Sequence, residues 1–189
     1  PGTVFAREYP RTFESGAPRR ISCLVQARIY TDREHVLHCP APYAAILEDF
    51  VADLNATRDL RHAPVSLPAD RPTRLAPVVI EAASVFRCNV TSIGSDFENT
   101  FVQAESQALA RGVTVLQAFL DLAEPGVGEA TARLRERGYV LGGLMPRWFD
   151  SDALLLQRLM HRPETKGLHL VPEKGQCLLR QIEAELAAK

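Results

Sequence analysis

Two stretches decide the fold class: residues 107–116, QALARGVTVL, and residues 132–141, ARLRERGYVL. Each is interpreted as a helix end that closes on a glycine, Gly112 or Gly138, and continues directly into an apolar strand. Glycine suits the position after a helix because it adopts the left-handed conformation without a Cβ penalty, and nearby arginines favour the negative end of the helix dipole. Two such units in succession predict an α/β sheet with right-handed crossovers.

Length and charge exclude several classes of protein. The 189 residues are enough for one domain with a real core, and 22 basic residues balance 23 acidic ones, so neither a nucleic-acid nor an anionic-membrane surface is indicated. No apolar run reaches the roughly 18–20 residues that span a bilayer. The first residues lack both methionine and the apolar core of a signal peptide, which indicates a processed chain or a fragment and favours a cytoplasmic location.

The apolar pattern divides the chain into three parts. Residues 1–18 carry three prolines and two glycines without a period and are interpreted as an arm or linker. Residues 19–160 form the predicted α/β domain, and residues 161–189 form a tail with an amphipathic helix over 173–187.

The domain begins with a predicted strand over 21–29, a helix from Pro42 to near Asn55, and a surface connection over 56–73. The apolar stretch 75–93 is either two hairpin strands or one long bulged strand. The elements expected after it are a strand over 84–93, a helix N-capped by Asn99, a strand over 113–122, a helix over 127–137, and strands over 139–144 and 153–159.

The order strand, helix, strand, helix, strand, strand resembles the C-terminal two-thirds of the GNAT-type acyl-CoA N-acyltransferase fold. Residues 136–143, ERGYVLGG, resemble the Glu-Lys-x-Gly-Phe end of that superfamily's last helix and the strand after it. Residues 120–125, 138–146 and 152–157 are similar to a GNAT-like domain of bacterial multidomain proteins. The resemblance covers roughly residues 20–160. It implies a mixed central sheet with helices on both faces and transfer of an acyl group, such as acetyl, from acyl-CoA or acetyl-CoA to an amine.

The resemblance also implies a pyrophosphate turn where the central strand meets the next helix, because backbone N–H groups and a helix N-terminus favour phosphate there. This turn keeps one glycine but lacks the family's arginine and second glycine, and the candidate cofactor residues are Ile93, Gly94, Ser95, Asn99 and Thr100. Asp96 and Glu98 stand where phosphates would lie, and like charges about 4 Å apart repel by roughly 1 kcal/mol even in water. Alternatively, these two carboxylates simply favour the helix dipole.

Few residues of this sequence match the catalytic groups of the GNAT superfamily. Aligning on Gly138 puts Leu134 where the superfamily carries its general-acid tyrosine, and Tyr139 is expected to pack in the core. The candidate general base is Glu81, because a carboxylate buried in an apolar run has the raised pKa that a base needs. Glu81 is equally a candidate turn residue between two strands.

Cysteine and histidine spacing favours neither a disulfide framework nor a metal site. The segment 34–39 holds two imidazoles and a thiol, but His35 and His38 point to opposite faces of an extended segment, so no metal is expected there. His161, His169 and Cys177 lie scattered in the tail, and no metal is expected there either. Reduced, mostly buried thiols are expected for the four widely spaced cysteines, Cys23, Cys39, Cys88 and Cys177.

A loop between the last two predicted strands carries Arg147, Trp148 and Phe149. Trp and Arg are enriched at interfaces, so these residues are candidates for a pocket mouth or for the interface of a homodimer. The alternative is a loop aromatic that folds back onto the sheet.

Three hypotheses of function follow. The first is an N-acyltransferase; the second is a non-catalytic GNAT-like module that binds a small-molecule ligand or another protein domain. The third is an ACT-like or ferredoxin-like ligand sensor, whose sheet would carry its helices on one face. Adjacent parallel strands over 84–93 and 113–122 that splay at their carboxyl ends are what the GNAT fold requires.

Overall fold

The computed structural model describes residues 2–6, 21–25, 29–161 and 173–188 of the chain. The described residues form nine strands and four α-helices, with short 3₁₀ turns at Ala41–Tyr43 and Glu81–Ala83. The elements in chain order are β1 Gly2–Ala6, β2 Ile21–Val25, β3 His35–Cys39, α1 Ala44–Val51, β4 Arg58–His62, β5 Arg74–Ile80, β6 Val85–Ser92, α2 Phe97–Ala110, β7 Val115–Asp121, α3 Val127–Glu136, β8 Val140–Met145, β9 Ala153–Leu159 and α4 Glu173–Ala187.

The strands form two sheets. Seven strands form a mixed sheet in the order β2-β1-β8-β9-β7-β6-β5, and β3 and β4 form a separate parallel pair. Within the large sheet β6 and β7 are parallel, whereas the β5–β6, β7–β9, β8–β9, β1–β8 and β1–β2 pairs are antiparallel. The predicted α/β class with a mixed sheet is therefore confirmed.

Both helix–glycine–strand junctions are confirmed. Gly112 and Gly138 have φ of 75° and 95°, which is the left-handed region. After α3 the N–H groups of Gly138 and Tyr139 donate to the carbonyls of Arg135 and Leu134 at 3.0 Å each, which is the Schellman pattern. These stops set the point at which each chain segment re-enters the sheet.

The core lies against one face of the large sheet. Along β7, Leu116, Ala118 and Leu120 point into the main cluster, while Phe119 points to the opposite face and joins a smaller cluster with Leu155. Buried apolar side chains of all four described helices belong to the main cluster. This differs from the prediction of helices on both faces.

Within the predicted arm, β1 pairs with β2 and meets β8 at Gly143. Two local expectations are corrected by the structure. The predicted surface connection contains β4, paired with β3. Helix α2 begins at Phe97 after Asp96, so the N-cap prediction at Asn99 is wrong by three positions.

The apolar run 75–93 forms two antiparallel strands, β5 and β6, separated by the turn at Glu81. Cys39 and Cys88 are buried free thiols, and Cys177 is a half-buried free thiol, as expected. Among the described residues, no helix is both long and apolar enough to cross a bilayer.

Candidate functional site

The predicted cofactor turn already has partners within the chain. The Ile93 N–H donates to a carboxylate oxygen of Glu124 at 3.1 Å, and the Gly94 N–H donates to the hydroxyl of Thr73 at 3.0 Å. Glu124 follows β7 and its side chain is 16% exposed, so the carboxylate lies in a largely enclosed position beside the turn. The Ile93 N–H is thus already bonded to a carboxylate of the protein, and the Gly94 N–H to a hydroxyl.

The segment 71–73 lies directly on this turn. A Cβ added at Gly94 would stand 2.0 Å from the carbonyl oxygen of Arg71, so backbone packs against backbone there. The Ser92 hydroxyl donates to the Pro72 carbonyl at 3.0 Å, and the Thr73 N–H donates to Asp96 at 2.8 Å. The 71–73 segment therefore covers the turn at Gly94, while Ser95 and Asp96 stay exposed.

The two carboxylates of the turn have local roles. Hydrogen bonding from Thr73 lowers the pKa of Asp96, which also accepts from the Thr100 hydroxyl at 3.5 Å. Glu98 forms an ion pair with Arg133 of α3. Ser95 and Asn99 are exposed, so of the candidate cofactor residues only Ile93 and Gly94 have buried positions.

The candidate base is remote from the turn. Glu81 lies in the 3₁₀ turn that precedes β6, whereas Gly94 follows the opposite end of that strand. Its side chain is 74% exposed and pairs with Arg111. The structure therefore does not bring Glu81 together with the predicted cofactor residues.

The expected core position of Tyr139 is confirmed. Tyr139 is fully buried, its hydroxyl donates to Glu105 at 3.0 Å, and burial followed by the charge of Glu105 raises its pKa well above the usual 10.0. Leu134, at the superfamily's tyrosine position, is also fully buried. Neither side chain is placed to protonate a leaving group in a solvent-accessible cleft.

The loop between β8 and β9, residues 146–152, is built onto the second face of the sheet. Trp148 stacks on Phe119 with ring centroids 4.4 Å apart and an interplanar angle of 12°, and its indole N–H donates to Asn89 at 2.9 Å. The Arg87 guanidinium lies 5.5 Å from the Phe119 centroid and 5.7 Å from the Trp148 centroid. Trp148 is nevertheless 37% exposed. The loop aromatic therefore packs on the sheet and also offers part of its ring to solvent.

A buried ion network anchors this loop. Arg58 of β4 donates through Nε to Asp152 at 2.8 Å and through Nη2 to Asp32 at 3.0 Å, and the three side chains are 0%, 0% and 5% exposed. Asp152 also accepts the backbone N–H of Arg147 at 2.9 Å. Burial alone would raise the pKa of Asp32, but hydrogen bonds from Arg58 and the backbone outweigh it and lower the pKa below 3.8. The base of the loop is thereby fixed from within the protein.

Two guanidinium groups converge at the tip of the loop. Arg33 Nη2 donates to the carbonyl oxygen of Asp150 at 3.1 Å, and Arg147 Nη1 donates to the same oxygen. The Asp150 carboxylate is 99% exposed and lies 3.4 Å from Arg33. Arg147 has φ of 56°, a left-handed conformation that costs a residue other than glycine free energy and is enriched at functional loops. The tip thus holds two cations and one weakly paired carboxylate.

Two further buried carboxylates are explained by packing. Glu105 pairs with Arg137 and Arg158, and Glu185 accepts from the Tyr43 hydroxyl at 3.1 Å and from the Leu141 N–H at 2.9 Å. An open cavity of about 410 Å³ near Glu185 lies between α3 and α4. These contacts connect helices to the sheet and need no ligand.

Histidines 35 and 38 remain separate from any metal-like cluster. His35 Nε2 lies 3.4 Å from Asp152, and the His38 N–H of the backbone donates to the Leu122 carbonyl at 2.7 Å. Across the described residues, no three His, Cys, Asp or Glu side chains are grouped to hold a metal ion. His169 lies outside the described residues.

Sequence reasoning selected Arg147, Trp148 and Phe149 but missed Arg33 and Arg58. Phe149 is half-buried against the cluster that contains Phe119, so it supports the loop. Arg58 sits in a segment whose charges suggested a surface position, and its partners are 26 and 94 positions away. The sequence signal that could have indicated a buried cation was the pair Asp150 and Asp152 in the loop. Two carboxylates alone do not identify which arginine they bind.

The geometry is the guide to function for this chain. No protein-family model, no curated protein and no solved structure matches it.

Proposed function

We propose that this chain is a non-catalytic binding module on a GNAT-like sheet, with its ligand site at the 146–152 loop. Two features support the GNAT-like part. Strands β6 and β7 are adjacent and parallel, and α2 joins them in a crossover. An adjacent parallel pair at this position is part of what that fold requires. The placement of the helices on one face is the feature expected of the ACT-like alternative.

The observation that carries the non-catalytic part is the closed turn. Both candidate phosphate-binding N–H groups donate to side chains of the chain itself, and one acceptor is the Glu124 carboxylate. A pyrophosphate there would have to displace this carboxylate and the 71–73 segment, leaving buried polar groups to find new partners at roughly 1–3 kcal/mol each. This cost supports a chain that does not bind acyl-CoA at this turn.

An N-acyltransferase is the second candidate, favoured by the same parallel pair and by the Arg-Gly-Tyr junction after α3. An N-acyltransferase must bind acyl-CoA, whereas the binding module need not, so binding of acyl-CoA separates the two proposals. The partner under the first proposal is a small molecule at the loop, and no cofactor is required.

Thermal unfolding with and without free CoA, acetyl-CoA and a longer acyl-CoA separates the two. A ligand at 100 times its dissociation constant stabilises by about 2.7 kcal/mol, which raises the melting temperature of a chain this size by roughly 5–10 °C. We expect no shift with any of the three. A clear shift with acetyl-CoA, together with acetyl transfer to an amine, would establish the transferase and overturn the proposal.

A further inference from the structure

We propose that the tip of the 146–152 loop binds a small planar aromatic anion, whose carboxylate or phosphate lies between Arg33 and Arg147 and whose ring contacts Trp148. This assigns a ligand class to the site of the proposed function and rests on that proposal. The proposed site has three parts: a cationic part, a ring-binding part and a rigid base.

The cationic part is the convergence of two guanidiniums. Arg33 and Arg147 both donate to the Asp150 carbonyl oxygen, so two positive charges approach each other on a loop tip. Like charges at such range repel, and the one exposed carboxylate beside them, that of Asp150, lies 3.4 Å from Arg33 and is 99% exposed. Asp32 and Asp152 are engaged by Arg58 in the buried base, so the groups at the tip that an incoming anion would meet are the two guanidiniums and the Asp150 carboxylate with which it would compete. Guanidiniums also match the oxygens of carboxylates and phosphates with paired N–H donors.

The ring-binding part is the exposed portion of Trp148. Its indole N–H is satisfied by Asn89 and one of its faces is stacked on Phe119, yet 37% of the residue stays exposed. A stacked, hydrogen-bonded indole has little freedom to lose on contact with a ligand, so ring contact there costs little conformational entropy. Arg87 lies over the same rings and adds positive charge beside them.

The rigid base is the buried network under the loop. Asp152 receives both the Arg58 guanidinium and the Arg147 N–H, which fixes the backbone of Arg147 in its left-handed conformation. Residues held in such a conformation by surrounding contacts cluster at functional sites. The loop is therefore organised before any ligand arrives, as high-affinity sites require.

The test uses the intrinsic fluorescence of the full chain, because Trp148 is its one tryptophan. Benzoate and phenyl phosphate are titrated beside their neutral counterparts benzamide and phenol, and inorganic phosphate tests the need for the ring. Calorimetry on the same pairs detects binding that leaves the fluorescence unchanged. We expect saturable binding of at least one aromatic anion, at least tenfold tighter than its neutral counterpart, and the carboxylate and phosphate probes show which anion fits better.

Variants identify the residues. Arg147→Gln and Arg33→Gln are expected to weaken binding about tenfold or more, because each removes a charged hydrogen bond. Asp150→Asn is expected to tighten binding, since it removes the competing carboxylate but keeps the backbone carbonyl. Arg61→Gln is the matched control, because Arg61 has the same 59% side-chain exposure as Arg33 and also pairs with an aspartate.

The proposal is overturned if no aromatic anion binds saturably, if neutral counterparts bind equally well, or if Arg61→Gln weakens binding as much as Arg33→Gln. Because CoA also carries an aromatic ring and phosphates, its thermal shift is measured on wild type and on Arg147→Gln. A shift that persists in the variant indicates binding at the turn and contradicts the proposed function, whereas a shift that disappears indicates binding at the loop, so the two failures are separately visible.

Discussion

Replacing Gly94 by alanine tests whether the 71–73 segment really closes the turn after β6. The new Cβ would lie 2.0 Å from the Arg71 carbonyl oxygen, and a real Cβ stays at least 3.0 Å away, so the two backbones must separate by about 1.0 Å. That separation breaks the bond from the Gly94 N–H to Thr73, now 3.0 Å, and displaces the Thr73 N–H from Asp96. Two lost hydrogen bonds and poorer packing cost roughly 2–3 kcal/mol.

Urea unfolding and thermal unfolding measure this cost. The melting temperature is expected to fall by roughly 4–12 °C, and the Gly94 amide is expected to lose protection from hydrogen exchange. Ser95→Ala is the matched control, since Ser95 is the exposed neighbour in the same turn and its change should stay within about 0.5 kcal/mol. If Gly94→Ala also stayed within that range, the turn would be more open than the structure indicates and the case against cofactor binding would fail.

Three further predictions concern the buried groups. Arg58→Met leaves two buried carboxylates without their cation and is expected to cost about 3–5 kcal/mol in urea unfolding, whereas Arg61→Met, on the surface, should cost at most about 1 kcal/mol. A comparable loss for both would contradict the buried network. Because the folded-state pKa of Asp32 is lowered, its contribution to stability is present above about pH 4 and disappears as the pH falls below that. The unfolding free energy of wild type should thus drop more steeply than that of Asp32→Asn between about pH 4 and 2, and parallel curves would refute this. Burial raises the pKa of Cys39 to about 11 and of Cys88 to about 12, so in a Cys23→Ser, Cys177→Ser background no thiol should react with a disulfide reagent at neutral pH until the chain is unfolded, when two should. Rapid labelling of the native protein would show that these thiols are accessible.

The elements that depend on local chemistry were predictable from the sequence. The glycine stops at Gly112 and Gly138 act within a few residues, so the crossovers of α2 and α3 followed from the sequence pattern. Strand β9 and helix α4 have the predicted bounds, because each has a strong apolar period and clear polar flanks. The error at Asn99 has a simple cause, since Asp96, three positions earlier, can also begin a helix and is held there by Thr73.

Non-local contacts explain what the sequence did not predict. Strand β4 is short and charged, with Arg58 buried in it, so its membership of a sheet depends on pairing with β3 and on two distant aspartates. The Trp148 loop left two possibilities open, folding back onto the sheet or facing a ligand. In the structure the Trp148 ring folds back and stacks on Phe119, and it also remains partly exposed to solvent.

The sequence by itself determined the α/β class, the two helix-to-strand stops and the presence of an acidic, glycine-poor turn after β6. Whether that turn was open depended on the tertiary structure, because the groups that fill it, Glu124 and the 71–73 segment, come from other connections of the sheet. The same holds for the loop tip, where Arg33 and Arg147 are 114 positions apart in sequence and meet at one carbonyl oxygen. Periodicity and capping act over a few residues, whereas such sites form only when the sheet order brings distant connections together.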